Sequence, residues 1–180
     1  MTSTGKWTDG VEGILLDITG VLYESGESEA ITGSVEAVKR LKEAGLPVRF
    51  CTNETTTTRQ VLVDKLNRFG FDIKSEEVFA PIPAMCQVLK ERNLRPHLLI
   101  SRNASADFSG VPTDNSNCVV LGDAVDEFSY ANLNKAFQIL ISLDKPILFS
   151  LGKGRYYKDG KDLALDVGSF CRALEVIMDG

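Results

Sequence analysis

A single histidine, His97, is all the chain offers of the side chain most used for metal binding and for proton transfer near neutral pH. It stands at the start of an apolar stretch without partners for nucleophilic or metal chemistry, so it reads as structural. Cys51, Cys86, Cys118 and Cys171 are widely separated, and no C-x-x-C pair or nearby histidine suggests zinc. Reduced thiols in a cytosolic core are expected. Positive charge is also in deficit, with 20 Lys and Arg against 25 Asp and Glu and a formal net charge of −5. That excludes the clustered basic surface of a phosphate-backbone binder, and no nucleic-acid partner is expected. No stretch approaches the ~20 apolar residues that span a bilayer, and the N-terminus lacks a basic start followed by a long apolar run. Neither membrane nor secretion is expected, and the compartment is read as the cytoplasm, with the nucleus beside it. The G-x-x-x-x-G-K-[ST] loop is absent, which removes the P-loop class.

What is present is ordinary globular composition: 180 residues, 43% hydrophobic and 25% charged, enough for one sizeable core or one domain with a smaller insert. The apolar run from Val11 to Leu16 reads as a buried strand, and Asp17-Ile-Thr-Gly20 as the turn that ends it. Ser34 can cap a helix bearing Val35, Val38 and Leu41 and stopped by Gly45, before a second strand from Pro47 to Cys51. Thr57-x-x-Gln60 has capping-box form and opens a helix with Val61, Leu62, Leu66 and Phe69. A short strand from Glu77 to Ala80 and a helix begun by Pro83 follow. After about Asn93 the pattern restarts. Strands are expected over His97 to Ser101, Cys118 to Gly122 and Pro146 to Leu151. Helices are expected from Ser129, with Leu133, Phe137, Leu140 and Ile141 on one face, and from Val167 to Met178. The polar stretch Asn103 to Asn117 reads as a loop. The division is placed at residues 1–93 and 94–180.

Ligands of open α/β sheets bind at the carboxyl ends of strands, and two polar clusters occupy that edge, Asp17-Ile-Thr19 and Thr52-Asn53. A carboxylate there can attack phosphorus and form an aspartyl phosphate, while Mg²⁺ offsets the repulsion between two anions and Thr52 and Asn53 donate to phosphoryl oxygens. On spacing alone the same residues serve equally well as a turn cap and a helix start. A receiver domain fits less well, because Asp17 is alone on the first strand.

Leu15-Leu-Asp17-Ile-Thr-Gly-Val-Leu-Tyr23 resembles the first motif of the haloacid-dehalogenase-like hydrolases, and Arg49-Phe-Cys-Thr-Asn-Glu54 resembles their second. The resemblance continues through Pro81-x-Pro-Ala, Leu98-Leu-Ile, Asn117-Cys-Val-Val and Ser150-Leu-Gly-Lys-Gly-Arg-Tyr-Tyr157. It implies an α/β fold, an incomplete Rossmann-like haloacid-dehalogenase core (1–93) with an inserted α/β cap domain (94–180). It further implies Asp17 as catalytic nucleophile, Asp17 and the Thr19 carbonyl as Mg²⁺ ligands, and Asp17, Ile18, Thr19, Thr52 and Asn53 as the phosphoryl-binding set. The partner would be a phosphorylated small molecule or a phosphohistidine or phospholysine protein, with a homodimer through the cap. Lys153, Arg155 and Lys158 could face such a substrate, but a solvated basic loop is the plainer reading.

Two departures qualify that pattern. Where the family usually places a second aspartate as general acid and base, this chain has Thr19, whose hydroxyl does not titrate near neutral pH. Labile P–O–P and P–N bonds, as in pyrophosphate, phosphohistidine and phospholysine, are therefore favoured over alkyl phosphate esters. The family's lysine-bearing third motif and acidic fourth motif do not occur, and Gly122-Asp123-Ala124 and Lys153 lie in the cap and are not carried over. The expectation is a phosphatase impaired in this form; the alternative is a non-catalytic regulatory or binding form that keeps the cap surface.

Overall fold

A computed structural model describes residues 10–176. The apolar run before Asp17 forms β1 (Ile14–Asp17), which pairs in parallel with β2 (Val48–Cys51), and β2 pairs in parallel with β3 (Val78–Phe79). The crossovers carry α1 (Ser34–Glu43) and α2 (Arg59–Arg68), whose apolar stripes bring Val38, Leu62, Val63 and Leu66 onto Val48, Phe50 and Val78. Covering is one-sided. Ile14 and Leu16 turn towards this core, whereas Leu15 is 64% and Phe79 59% exposed, so the strand expected to be buried is covered on one face only.

Three helix starts differ from expectation. Ser34 is the first residue of α1 and Gly33, at φ 85°, is its N-cap; the Ser34 hydroxyl donates to the Leu22 and Ile31 carbonyls, fastening the helix to the loop behind it. Thr58, rather than Thr57, caps α2 by accepting from the Val61 N–H at 3.3 Å, and Gln60 spends its amide on Asp64 and Ser75. Pro81, rather than Pro83, opens α3 (Pro81–Glu91), where its missing N–H costs nothing.

A second parallel sheet holds β4 (Pro96–Leu99), β5 (Cys118–Leu121) and β6 (Leu148–Ser150), with β5 central and buried throughout. The two-residue period of a strand decides what covers each side. Val119 and Leu121 meet α4 (Tyr130–Ile141) and α5 (Val167–Glu175), while Cys118 and Val120 meet α3 and a run of 3₁₀ turns over Arg102–Phe108. Helix α3 thus packs Ile82 and Leu89 on the second sheet, although a division at residue 93 assigns it to the first unit. The stretch before α5 contains an antiparallel hairpin that had not been expected, β7 (Tyr156–Asp159) and β8 (Asp162–Leu165). Ile141, expected on the buried face of α4, is exposed, and Met178 falls outside the described residues. Among the described residues, no helix is long and apolar enough to cross a membrane.

Candidate functional site

Both parallel sheets point their carboxyl ends into one cleft of about 1270 Å³. The first unit contributes Asp17, Thr19 and Gly20 after β1 and Thr52 and Asn53 after β2; the second contributes Ser101, Asp123 and Gly152–Lys153 after its three strands. Asp17 closes β1 opposite Cys51, and one of its carboxylate oxygens accepts the Ile18 N–H at 2.9 Å. Ile18 itself is buried in the core beneath, so of the expected phosphoryl-binding set its side chain does not line the cleft. Gly20, at φ 85°, allows the tight turn in which its N–H reaches the Tyr23 carbonyl at 2.7 Å.

The Thr19 hydroxyl is hydrogen-bonded to Tyr23. Burial pushes the Tyr23 hydroxyl above its ordinary range, the bond with Thr19 opposes the shift, and the Glu54 charge adds to it. Neither hydroxyl ionises near neutral pH. Thr52 is buried and anchored through its N–H to the Phe79 carbonyl at 3.1 Å, and its hydroxyl accepts from Glu54 N–H at 3.1 Å. Asn53 is exposed between these two fixed neighbours and lines the cleft.

Asp123 follows β5 on the opposite wall and is only 8% exposed. Its N–H donates to the hydroxyl of buried Thr55 at 3.0 Å, a bond that joins the two walls, and its carboxylate accepts from Val125 N–H at 3.2 Å. A second crossing bond runs from Arg59 N–H to the Asp107 carboxylate at 2.9 Å. Burial raises the Asp123 carboxyl above the ordinary 3.8; the Val125 N–H pulls against the rise, and Asp166 and Glu54 reinforce it. The sequence places Asp123 in the cap and outside the expected site, yet the structure brings it into the same cleft as Asp17. Its signal was available: it stands just past an apolar strand, at the edge that also marked Asp17.

Of the three basic residues expected in a solvated loop, Lys153 and Lys158 line the cleft, whereas Arg155 does not and lies against the Tyr156 ring. Arg102, also in the cleft wall, is paired with Glu127. The β7–β8 hairpin bends over towards the first unit, and a side chain on Gly26 would meet Gly160 at 3.9 Å. His97 is half-buried away from this cleft, its imidazole held below the usual range by burial and by the Lys135 charge. Among the described residues, no three His, Cys, Asp or Glu side chains come together as a metal site.

Residues 14–127 match the model of the haloacid dehalogenase-like hydrolase family. Phospholysine phosphohistidine inorganic pyrophosphate phosphatase from Homo sapiens is 56% identical over 177 residues, which covers 97% of this chain and 66% of that protein. The protein of the same name from Danio rerio is 55% identical over 179 residues, covering 98% and 66%. The chain therefore spans just under two thirds of the length of these relatives. Among solved structures, 4-nitrophenylphosphatase from Thermotoga maritima superposes with a TM-score of 0.83 over 96% of this chain and 66% of that one, at 24% identity, and so shares the fold.

Proposed function

Because the chain belongs to the haloacid dehalogenase-like hydrolases, we propose that its cleft is a phosphatase site in which Asp17 is the nucleophile. The observation that carries this is the placement of Asp17 at the carboxyl end of β1, beside Thr52 and Asn53 at the end of β2, on one cleft floor. The bond from Ile18 N–H orients one carboxylate oxygen of this exposed, cleft-lining side chain. An Asp17–phosphorus bond forms as the bond to the leaving group breaks; water then attacks the same phosphorus, releasing orthophosphate and regenerating the carboxylate. Thr52 and Asn53 donate to the phosphoryl oxygens as charge moves onto them.

The donors fit Mg²⁺ as a partly hydrated ion that also takes substrate oxygens, since this hard cation is commonly held by one or two carboxylates with several waters. When bound, the metal would neutralise charge between carboxylate and phosphate. Asp17 and the Thr19 carbonyl would hold it. Because no three ligating side chains cluster there among the described residues, affinity for Mg²⁺ is expected to be low. The same observation favours a second reading, a phosphate-binding regulatory form without turnover.

The relatives' names give pyrophosphate, phosphohistidine and phospholysine as their substrates. We extend that class to this chain because Thr19 and Tyr23 supply no acid for a poor leaving group. Phosphate departs without a proton donor, and P–N nitrogens take a proton from solvent. Self-association through the second unit would use Tyr156, Leu163 and Leu165, apolar and exposed on the hairpin.

The test is covalent trapping: ³²P-labelled pyrophosphate and Mg²⁺ are added, the reaction is quenched in acid, and hydroxylamine-labile label is counted. Wild type should carry label and Asp17→Asn none. Equal label on both would refute the nucleophile, and phosphate binding without label on wild type would select the non-catalytic form.

A further inference from the structure

Three glycines in the second unit have no room for a side chain. A Cβ on Gly152 would lie 2.9 Å from Val167 Cγ1, one on Gly154 would collide with the Asp166 carboxylate, and one on Gly168 would lie 2.6 Å from the Gly154 carbonyl oxygen. The Gly152-Lys-Gly154 loop after β6 is thereby pressed onto the first turn of α5. Gly168 N–H donates to the Gly154 carbonyl at 2.9 Å, the Ser150 hydroxyl donates to the Gly152 carbonyl, and Asp166 caps the helix through Val167 N–H. At Gly168 glycine is used because backbone approaches backbone, the Lys153 and Gly154 carbonyls lying where a Cβ would be. The residue between the two loop glycines, Lys153, is the one that carries a side chain, and it is exposed in the wall of the cleft that Asp17 and Asn53 also line. Lys153 forms no salt bridge among the described residues; its charge acts on Glu175 and Cys171 of α5. Arg102 is committed to Glu127, and Lys158 stands on the projecting hairpin.

We propose that Lys153 is a specificity-determining residue that receives the leaving phosphate of a diphosphate substrate, while the phosphoryl group being transferred rests against Asp17, Thr52 and Asn53. The proposal rests on the phosphatase reading of Asp17. As the P–O–P bond breaks, negative charge grows on the departing phosphate, and an ammonium fixed at that position stabilises it. Amine and imidazole leaving groups acquire no such charge and gain nothing from Lys153. Asp123, Asp166 and Glu54 also line the cleft, so a dianionic leaving half entering it needs a cation of its own.

The experiment titrates the 180-residue chain, in Mg²⁺, with imidodiphosphate as a non-hydrolysable diphosphate and separately with orthophosphate, followed by calorimetry. Lys153→Met should weaken imidodiphosphate about 10-fold or more, the scale of one charge-assisted hydrogen bond. Lys153→Arg should retain most of the affinity, Lys161→Met at the hairpin turn should retain all of it, and orthophosphate affinity should not change in any of them. Because Lys153 is exposed, the substitutions leave folding intact, which a thermal melt verifies. Weakening of both ligands together, weakening of neither, or failure of the wild type to bind imidodiphosphate more tightly than orthophosphate overturns the proposal. Failure of Asp17 as nucleophile is read independently, as absence of covalent label with the imidodiphosphate preference intact.

Discussion

Replacing Thr55 by valine keeps the shape of a buried side chain and deletes one oxygen. Thr55 is 4% exposed, and its hydroxyl is the acceptor for the Asp123 N–H at 3.0 Å, across 68 residues of sequence. Valine keeps both branches at Cβ, so the packing of this position against Gly122 survives and little of the loss can be assigned to a cavity. What remains is a backbone donor stranded between two walls, at a cost of about 1–3 kcal/mol. For a chain of this length 1 kcal/mol lowers Tm by about 2–4 °C, so the melting point should fall by about 2–12 °C. Thr55→Ser keeps the oxygen and loses a methyl group, and is the control. Urea unfolding followed by circular dichroism should place Thr55→Val clearly below both serine and wild type. If valine proves as stable as serine, the N–H finds water or another acceptor, and the bond between the walls does not hold them together.

Two further substitutions probe the same cleft. Thr19→Asp restores a titratable group two residues beyond Asp17 and should raise the rate on alkyl phosphate esters relative to pyrophosphate by up to about 100-fold; an unchanged ratio on one preparation would show that the missing acid does not set preference. Asp123→Asn keeps the acceptor for Val125 N–H and removes the charge. Since the folded Asp123 carboxyl titrates above the ordinary 3.8, its favourable contribution is complete below that pH and is lost as pH rises through the folded value. The asparagine variant should therefore melt higher than wild type at pH 7, with the advantage gone below about pH 4. A pH-independent advantage would remove the charge from the explanation.

Asp17, Thr52 and Asn53 were legible because each stands where an apolar run stops, and a parallel sheet places such residues on one edge whatever the rest of the chain does. The affiliation of α3 was not legible. The spacing of Ile82, Met85 and Leu89 identifies an apolar face, but nothing local says which of two sheets will cover it. The 156–165 hairpin had a signal in Gly160, which takes φ 58° in the two-residue connection between β7 and β8. Its strands were obscured because most of their side chains stay in solvent and show little apolar alternation. From sequence Lys153 reads as part of a solvated loop, because the close approach of its backbone to Gly168, fifteen positions on, leaves no local pattern.

Position 59 is the first residue of α2, where proline is ordinarily at home because the N–H it lacks would have no partner in the helix. Here that N–H is committed to Asp107 on the other unit. Proline is thus closed to a position that tolerates almost any other side chain, since only the backbone is used. The same run begins with Thr52 and Asn53 on the cleft floor and passes through Thr55, so substitutions on opposite walls should combine non-additively although each of these crossing bonds pairs a side chain with a backbone N–H. In sequences that diverge from this one, positions 55, 59, 107 and 123 are expected to drift as a set, with the acceptor at 107 surviving wherever position 59 remains free to vary.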